Sequence, residues 1–116
     1  MFGLLSIRGT NYSMDVKNWL ENYHDIITRI NIDSRLGINT ERVQQLTMEN
    51  KLLKCAIENL PYPEREVIRS HYIDNVSYSK IGKKINYCKT GVYRIGQKGI
   101  DILDKVLNEE KILPLN

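Results

Sequence analysis

The segment from Ser77 to Lys98 constrains the fold of this chain more than any other part of the sequence. It reads SYSKIGKKINYCKTGVYRIGQK and contains two pairs of apolar residues at helical spacing. The pairs are Ile81 with Ile85, four residues apart, and Val92 with Ile95, three residues apart. Asn86 and Tyr87 lie between the two pairs, where they predict a turn. Two amphipathic helices joined by a short turn are therefore expected here.

Helical spacing of apolar residues also extends over the rest of the chain, in which no strand pattern is longer than three residues. Asp15 and Thr40 are the expected caps of a first and a second helix, and Pro63 is expected at the first helical position of a third. Ser77 is the expected cap of a fourth helix, and Cys88 stands where a cap for the fifth would be. The expected helices cover residues 15–33, 41–59, 63–73, a stretch after residue 77 and a stretch from residue 88 to about residue 108. The chain is therefore predicted to be all-α.

Positive charge is concentrated in residues 61–100. Eight Lys and Arg residues stand there against three acidic residues, a net charge of +5, whereas the whole chain of 116 residues carries +3. Residues 1–60 carry seven charges of each sign. A localised basic surface is typical of proteins that bind nucleic acid, and an ordinary solvated surface fits the charge count equally well.

These patterns divide the chain into four parts. Residues 1–13 are predicted to be a flexible tail, with translation from Met14 as the alternative, and residues 111–116 are predicted to be a C-terminal tail. Residues 14–60 form a predicted helical hairpin or arm. Residues 61–110 form a predicted helix-turn-helix domain that binds DNA.

The second helix carries an apolar heptad pattern with one Asn at an inward position. Its members are Val43, Leu46, Asn50, Leu53, Ile57 and Leu60. A lone Asn at such a position sets the register of parallel dimeric coiled coils, which predicts a seam between two chains. The alternative is an antiparallel hairpin with helix 15–33 of the same chain, anchored by Trp19 and Tyr23. The two arrangements are not exclusive.

The last predicted helix presents polar and basic side chains on its outer face. Arg94 suits a bidentate hydrogen bond to guanine, Gln97 suits adenine, and Tyr93 suits a thymine methyl group or a phosphate. Gly82 is expected where the two helices cross closely. Phosphate contacts are expected from both helices, through Ser77, Lys80, Lys83, Lys84, Lys89 and Lys98. The alternative is a plain helical hairpin with a charged surface.

Three glycines in the last helix run against its predicted conformation. Gly91, Gly96 and Gly99 each cost roughly 1 kcal/mol relative to Ala in a helix interior. One explanation is that the helix backbone packs closely against another element at these positions. The other is that the helix forms stably only when it is docked on a partner.

Several classes of protein do not fit the sequence. Cys55 and Cys88 are far apart and have no CxxC spacing, so neither a zinc site nor a disulfide scaffold is expected, and reduced thiols indicate a cytoplasmic protein. No apolar stretch reaches the roughly 18 residues of a membrane helix. His24 and His71 have no partners of a catalytic triad or metal site, and no Gly-rich phosphate loop follows a strand. We expect no enzyme activity, no metal and no cofactor.

Residues 60–107 resemble region four of bacterial sigma factors. The resemblance is carried by PEREVIR at residues 63–69, HYI at 71–73, SYSKIGKKI at 77–85, VYRI at 92–95, and by Ile100 and Leu103. A small chain with this unit behind an N-terminal helical arm looks most like the RinA/ArpU-type regulators of phage late genes. The fold then expected is an N-terminal helical hairpin or arm followed by a three-helix, sigma-region-four-like helix-turn-helix domain.

The resemblance also implies a function and a set of DNA contacts. It implies a sequence-specific transcription regulator, an activator of phage or prophage late genes in a bacterial host cell, with double-stranded DNA and RNA polymerase as partners. The base-reading positions would be Lys89, Thr90, Tyr93, Arg94 and Gln97. The chain departs from the family at Cys88, where a hydroxyl cap is usual, and at Gly91, where a charged residue is usual.

The same fold suits a second use without a specific DNA site. Such a module would bind polymerase, or would resemble the YlxM-like proteins of the signal-recognition-particle pathway. The operator, the sign of regulation and the choice between monomer and dimer stay open at this point.

Overall fold

The computed structural model describes residues 14–108, and this part of the chain consists of helices and turns without any strand. The elements are α1 (Val16–Glu21), α2 (Tyr23–Arg35), α3 (Glu41–Glu58), α4 (Glu64–Ile68), a π-helical turn (Arg69–Ile73), α5 (Tyr78–Ile85) and α6 (Lys89–Asn108). The all-α prediction is confirmed for this range. The predicted tails at 1–13 and 111–116 lie outside the described residues. Between residues 14 and 108, no helix has the length and apolar character needed to cross a membrane.

Three helices begin at the caps that the sequence predicted. Each cap is a side-chain oxygen that accepts a hydrogen bond from the backbone N–H three residues later, which satisfies one of the free donors of a helix start. The bonds join Asp15 to Asn18 at 3.1 Å, Thr40 to Val43 at 3.3 Å, and Ser77 to Lys80 at 3.2 Å. Short polar side chains therefore mark these helix starts in the sequence.

The predicted single helix over residues 15–33 is wrong, because Asn22 divides it into α1 and α2. Asn22 has φ −109° and ψ 17°. Its side-chain amide donates to the Asn18 carbonyl oxygen at 2.9 Å. Asn side chains compete with the backbone for hydrogen bonds in this way, which makes them unfavourable inside helices.

The predicted third helix over 63–73 is also different in the structure. It is α-helical only to Ile68 and continues as the π-helical turn, where the Asp74 N–H donates to the carbonyl oxygen of Arg69, five residues earlier, at 3.0 Å. Pro63 precedes the first helical residue and does not occupy it. The π-helical turn inserts extra backbone after Ile68, which changes the direction in which the next side chains project.

One hydrophobic core joins the N-terminal and C-terminal parts of the described chain. Its fully buried members come from α1, α3, α4 and α6: Val16, Leu20, Leu53, Ile57, Ile68 and Leu103. Trp19 and Tyr23 are also buried in this core. The boundary predicted between residues 60 and 61 therefore does not separate two hydrophobic cores.

The predicted apolar seam of α3 is used inside the single chain. Leu53 and Ile57 are buried in the shared core, Leu46 packs against it, and Val43 is 8% exposed. Asn50 keeps its side-chain oxygen buried without a hydrogen-bond partner. These contacts place the seam inside a core shared with α1, α4 and α6, so it is covered within the single chain and not only by the helix 15–33 that the hairpin alternative named.

Trp19 anchors this packing as the hairpin alternative predicted. Its indole Nε1 donates to Glu49 Oε1 on α3 at 2.8 Å. Burial raises the pKa of the Glu49 carboxyl group. The N-terminal helices are thus held to α3 by apolar contact and by one hydrogen bond across the pair.

Candidate nucleic-acid interface

Helices α5 and α6 are joined by a short turn with one left-handed residue. Asn86 ends α5 with φ 68° and ψ 44°, a conformation that Asn adopts more readily than most residues. The Tyr87 N–H then donates to the Gly82 carbonyl oxygen at 2.9 Å. At the start of α6, the Gly91 N–H donates to Cys88 Sγ at 3.4 Å. The thiol therefore occupies the cap position, where it accepts weakly compared with a hydroxyl group.

The two helices cross closely at Gly82, as the sequence predicted. A β-carbon at this position would lie 2.5 Å from the Tyr87 carbonyl oxygen and 3.3 Å from Val92 Cγ2. The first distance is too short for any side chain, and the contacting atom is backbone, which cannot swing away. Only glycine fits at this crossing without a shift of the turn.

A small second core fixes the helix pair on α4. Val67, Ile81 and Val92 have exposed fractions of 0, 1 and 0%. Val76, Tyr78, Ile85 and Ile95 pack around them. Each of the three elements contributes one fully buried side chain, so the outer faces of α5 and α6 are held in a defined relation to each other.

The predicted base-reading residues lie together on one side of α6. Lys89, Thr90, Tyr93 and Arg94 are exposed, and Gln97 is half-buried. At 3.6 residues per turn the five positions fall within an arc of about 140°. The arc offers cationic, hydroxyl, phenol and amide groups to a partner.

The predicted phosphate contacts on α5 are also exposed. Lys80 and Lys83 have no ion-pair partner within the described part of the chain. The Ser77 hydroxyl oxygen accepts the cap bond, and its hydrogen is free to donate. Two ammonium groups and one hydroxyl group thus stand at the outer surface of this helix.

An open groove of about 500 Å³ runs along the turn between the two helices. Its lining residues are Ser79, Gly82, Lys83, Asn86, Tyr87, Cys88 and Lys89. Lys83 comes from α5 and Lys89 from α6, so that the groove has an ammonium group on each helix. The two ammonium groups suit an anionic group such as a phosphate.

Two of the predicted phosphate contacts are engaged within the chain. Lys84 Nζ lies 2.9 Å from Glu66 Oε2, and Lys98 Nζ lies 3.7 Å from Glu64 Oε2. Both lysine side chains remain mostly exposed, at 69 and 71%, whereas the glutamates are 13 and 8% exposed. Both acids lie in the first turn of α4, and nothing in the sequence indicated their lysine partners on other helices.

Glu66 is the better connected of the two acids. Its Oε2 accepts from Lys84 Nζ and from Ser70 Oγ, each at 2.9 Å. These two hydrogen bonds hold the pKa of the Glu66 carboxyl group below its usual range, with the Lys84 bond as the larger cause. The same pair raises the pKa of Lys84. The ion pair therefore ties α5 to α4 beside the small second core.

Close packing explains the glycine at position 99. A β-carbon on Gly99 would lie 2.9 Å from Ile68 Cγ1 and 3.4 Å from Glu64 Cβ. The backbone of α6 therefore lies directly on side chains of α4. Close packing was one of the two explanations that the sequence left open for the glycines of this helix.

Aromatic rings line up behind the exposed face of α6. The rings of His71 and Tyr78 are stacked, with centroids 3.8 Å apart and planes at 16°. Tyr78 meets Tyr93 edge to face at 5.9 Å and 86°, and Tyr72 meets His71 in the same manner at 4.8 Å and 81°. His71 is half-buried, and nothing in the sequence indicated that its ring stacks on Tyr78.

The described residues hold no group of three or more His, Cys, Asp or Glu side chains that could bind a metal ion. Cys55 and Cys88 are both exposed free thiols. The expectations of no cofactor and no enzyme activity stay predictions.

Comparison with known proteins identified no relative of this chain. No protein-family model, no curated protein and no solved structure matches the chain. The resemblance to region four of sigma factors therefore rests on the sequence motifs alone.

Proposed function

We propose that this protein is a sequence-specific DNA-binding transcription regulator in which α5, the turn and α6 act as a helix-turn-helix. Helix α6 would lie in the major groove, with Arg94 and Gln97 toward base edges. The lysines of α5 would contact the phosphates beside the groove.

One observation carries the proposal. The exposed residues of α5 and α6 carry hydrogen-bonding and cationic groups, and Lys83 and Lys89 from the two helices line one groove, while the inner side is fixed by Val67, Ile81 and Val92. Gly82 lets the two helices approach closely enough for this arrangement. A rigid pair with one helix exposed along its polar arc is what entry into a DNA groove requires.

The resemblance extends the proposal to the biological setting. We place the chain beside the RinA/ArpU-type regulators, as an activator of phage or prophage late genes in the cytoplasm of a bacterial host. RNA polymerase is then a second partner. Since the α3 seam is covered within the chain, we propose that one chain reads one site.

Selection of bound sequences from random double-stranded DNA at physiological salt tests the proposal. We expect one enriched motif without twofold symmetry, preferred over random DNA by about 10³ or more, with log affinity falling linearly with log salt. Enrichment of a palindrome would contradict the single-chain site, and enrichment of no motif would contradict sequence-specific binding.

Substitution of Arg94 by Ala probes the base-reading role on the selected motif. We expect a loss of about 1–3 kcal/mol in binding free energy and relaxed preference at one base position. Lys51→Ala is the matched control, because Lys51 is an exposed cation on α3, outside the proposed helix-turn-helix. An equal loss for Arg94→Ala on every DNA sequence would show that Arg94 contacts only the backbone.

The ion pairs favour a second candidate function. Lys84 and Lys98 are already paired with Glu66 and Glu64, which lowers the charge that the surface offers to phosphates. A module that binds polymerase, or a YlxM-like accessory of the signal-recognition-particle pathway, would need less free positive charge. Binding to polymerase without enrichment of any DNA motif would support this candidate over the first.

A further inference from the structure

The side chain of Tyr93 is contacted on its inner side by a series of aromatic rings that begins in the π-helical turn. Tyr93 is 48% exposed on the outer side of α6, and its inner side meets Tyr78 edge to face. The other partner of Tyr78 is His71, stacked at 3.8 Å with planes only 16° apart. The ring of Tyr93 is therefore in contact with Tyr78, and the ring of Tyr78 is in turn stacked on His71.

His71 is itself fixed by a backbone hydrogen bond. Its Nδ1 lies 2.9 Å from the Val76 carbonyl oxygen. A carbonyl oxygen only accepts, so Nδ1 carries the hydrogen and donates it. The edge of Tyr72 lies against the same imidazole ring at 4.8 Å. The ring of His71 is thus held by one hydrogen bond and by aromatic contacts to two tyrosines.

The π-helical turn explains how His71 reaches this place. The Asp74 N–H bonds to Arg69 five residues back, and the Val76 N–H bonds to the Ser70 carbonyl oxygen at 2.9 Å. These wide backbone bonds bring the Val76 carbonyl oxygen within reach of the imidazole of His71. Single π-helical turns occur often at functional sites because they redirect side chains in this way.

We propose that His71 and Tyr78 are positioning residues that hold the Tyr93 phenol in one orientation for contact with DNA. This inference rests on the proposed function, since Tyr93 is one of the predicted base-reading residues. A ring that is already oriented loses less conformational entropy on binding, so the stack raises affinity without touching DNA. Its contribution is limited to that of aromatic pairs, about two- to tenfold in affinity.

The test compares three variants of the full chain. His71→Leu removes the ring and keeps apolar bulk, His71→Phe keeps a ring that stacks on Tyr78, and His24→Leu is the matched control. His24 also meets a tyrosine edge to face, Tyr23 at 5.3 Å, but it lies on α2, outside the proposed helix-turn-helix. Thermal unfolding by circular dichroism checks that each variant is folded at the temperature of measurement.

The first readout is the ring of Tyr93 in the free protein, followed by nuclear magnetic resonance. We expect a nuclear Overhauser effect between the rings of Tyr78 and Tyr93 in the wild type, in His71→Phe and in His24→Leu, and its loss in His71→Leu. An unchanged effect in His71→Leu would overturn the positioning role, whether or not the protein binds DNA.

The second readout is affinity for the selected DNA motif. We expect His71→Leu to bind about two- to tenfold more weakly and His24→Leu to bind as the wild type does. His71→Phe keeps the stack but lacks the hydrogen bond to Val76, so its affinity should lie between those of His71→Leu and the wild type. In a Tyr93→Leu background, His71→Leu should cause no further loss, because its effect passes through Tyr93. An equal loss in that background, or no rescue by His71→Phe, would overturn the inference.

The two proposals fail in different ways. If the wild type selects no DNA motif while His71→Leu still releases the ring of Tyr93, DNA recognition is wrong and the ring constraint stands. If the wild type selects a motif and His71→Leu binds it with unchanged affinity, DNA recognition stands and the positioning role is wrong.

Discussion

At the scale of single residues, the structure assigns clear tasks to side chains whose sequence context was unremarkable. Glu66 is a residue of a helix first turn in the sequence, and in the structure it accepts hydrogen bonds from Ser70 and Lys84. Lys84 was predicted to contact phosphate and is also the link between α5 and α4. Under the proposed function, this lysine would have two competing anions, its own glutamate and the DNA backbone.

The lowered pKa of Glu66 predicts a pH dependence of stability. Its carboxylate stabilises the fold above the unfolded pKa of about 4.5, and this contribution is lost as the pH falls through the lower folded pKa. We expect Glu66→Gln to lower the free energy of unfolding by about 1 kcal/mol at pH 7. At pH 3 the difference from the wild type should be smaller.

Urea denaturation at pH 7 and pH 3 measures both differences. Glu58→Gln is the control, because Glu58 also pairs with an arginine, Arg69 at 3.2 Å, but is 59% exposed. Exposed pairs contribute about 0–1 kcal/mol, so little change is expected. A larger deficit of Glu66→Gln at pH 3 than at pH 7 would contradict the assigned charge state.

At the scale of elements, the packing of α6 on α4 decides where glycine is required. Gly99 lies against the fully buried side chain of Ile68, whereas Gly91 lies beside the side chains of Tyr87 and Cys88 at ordinary contact distance. The sequence shows two similar glycines in one helix. Their different roles follow only from what lies opposite each one.

This difference predicts opposite effects of the same substitution. Gly99→Ala should lower the free energy of unfolding by about 1–3 kcal/mol, because the new methyl group would overlap Ile68 Cγ1 in a filled core. Gly91→Ala should raise the free energy of unfolding by about 0.5 kcal/mol, because alanine favours the helix. Its methyl group would meet the side chains of Tyr87 and Cys88 only at ordinary contact distance. Thermal and urea denaturation of the two variants, measured side by side, provide the check. Equal destabilisation by both would mean that close packing is not the reason for Gly99.

At the scale of the whole molecule, one core connects elements that the sequence suggested were separate. Leu53 and Ile57 of the predicted arm pack with Ile68 and Leu103 of the predicted DNA-binding domain. A shared core makes the two parts depend on each other for stability. The described chain is therefore expected to unfold as a single cooperative unit.

Two spectroscopic signals test this expectation. Trp19 is the only tryptophan of the chain and lies in the N-terminal part, so that its fluorescence reports on that part, while far-ultraviolet circular dichroism reports on all helices. Both signals should change at the same urea concentration. Leu53→Ala should move both midpoints together, at a cost of about 2–5 kcal/mol.

The neighbouring residue provides the control for that substitution. Leu52 is 48% exposed and Leu53 is 0% exposed, so Leu52→Ala should change stability by about 0.5 kcal/mol or less. Two separate transitions in the wild type would show that residues 14–60 and 61–108 are independent domains after all.

Local signals in the sequence predicted local structure well. Asp15, Thr40 and Ser77 were identified as caps because a cap needs only a short polar side chain and the next three backbone N–H groups. Gly82 was identified because it lies one turn into its helix, where the second helix of the pair was expected to cross closely. The break at Asn22 and the π-helical turn were missed, since an apolar stripe at helical spacing runs through both.

The candidate site was predictable in part for the same reason. Exposure of Lys89, Thr90, Tyr93 and Arg94 follows from the position of each residue on its own helix, which the apolar spacing reveals. The lysine–glutamate pairs and the His71–Tyr78–Tyr93 stack join residues of different elements. No spacing within one helix contains that information.

The sequence by itself determined the helices, most of their starts and the side of α6 that faces outward, because these depend on backbone hydrogen bonds and on apolar spacing within about four residues. Only the tertiary structure decided that the α3 seam is filled by its own chain, that the two halves share a core, and that Tyr93 meets Tyr78, which stacks on His71. Those outcomes depend on which distant surfaces are the most complementary in shape, and that is a property of the packed whole.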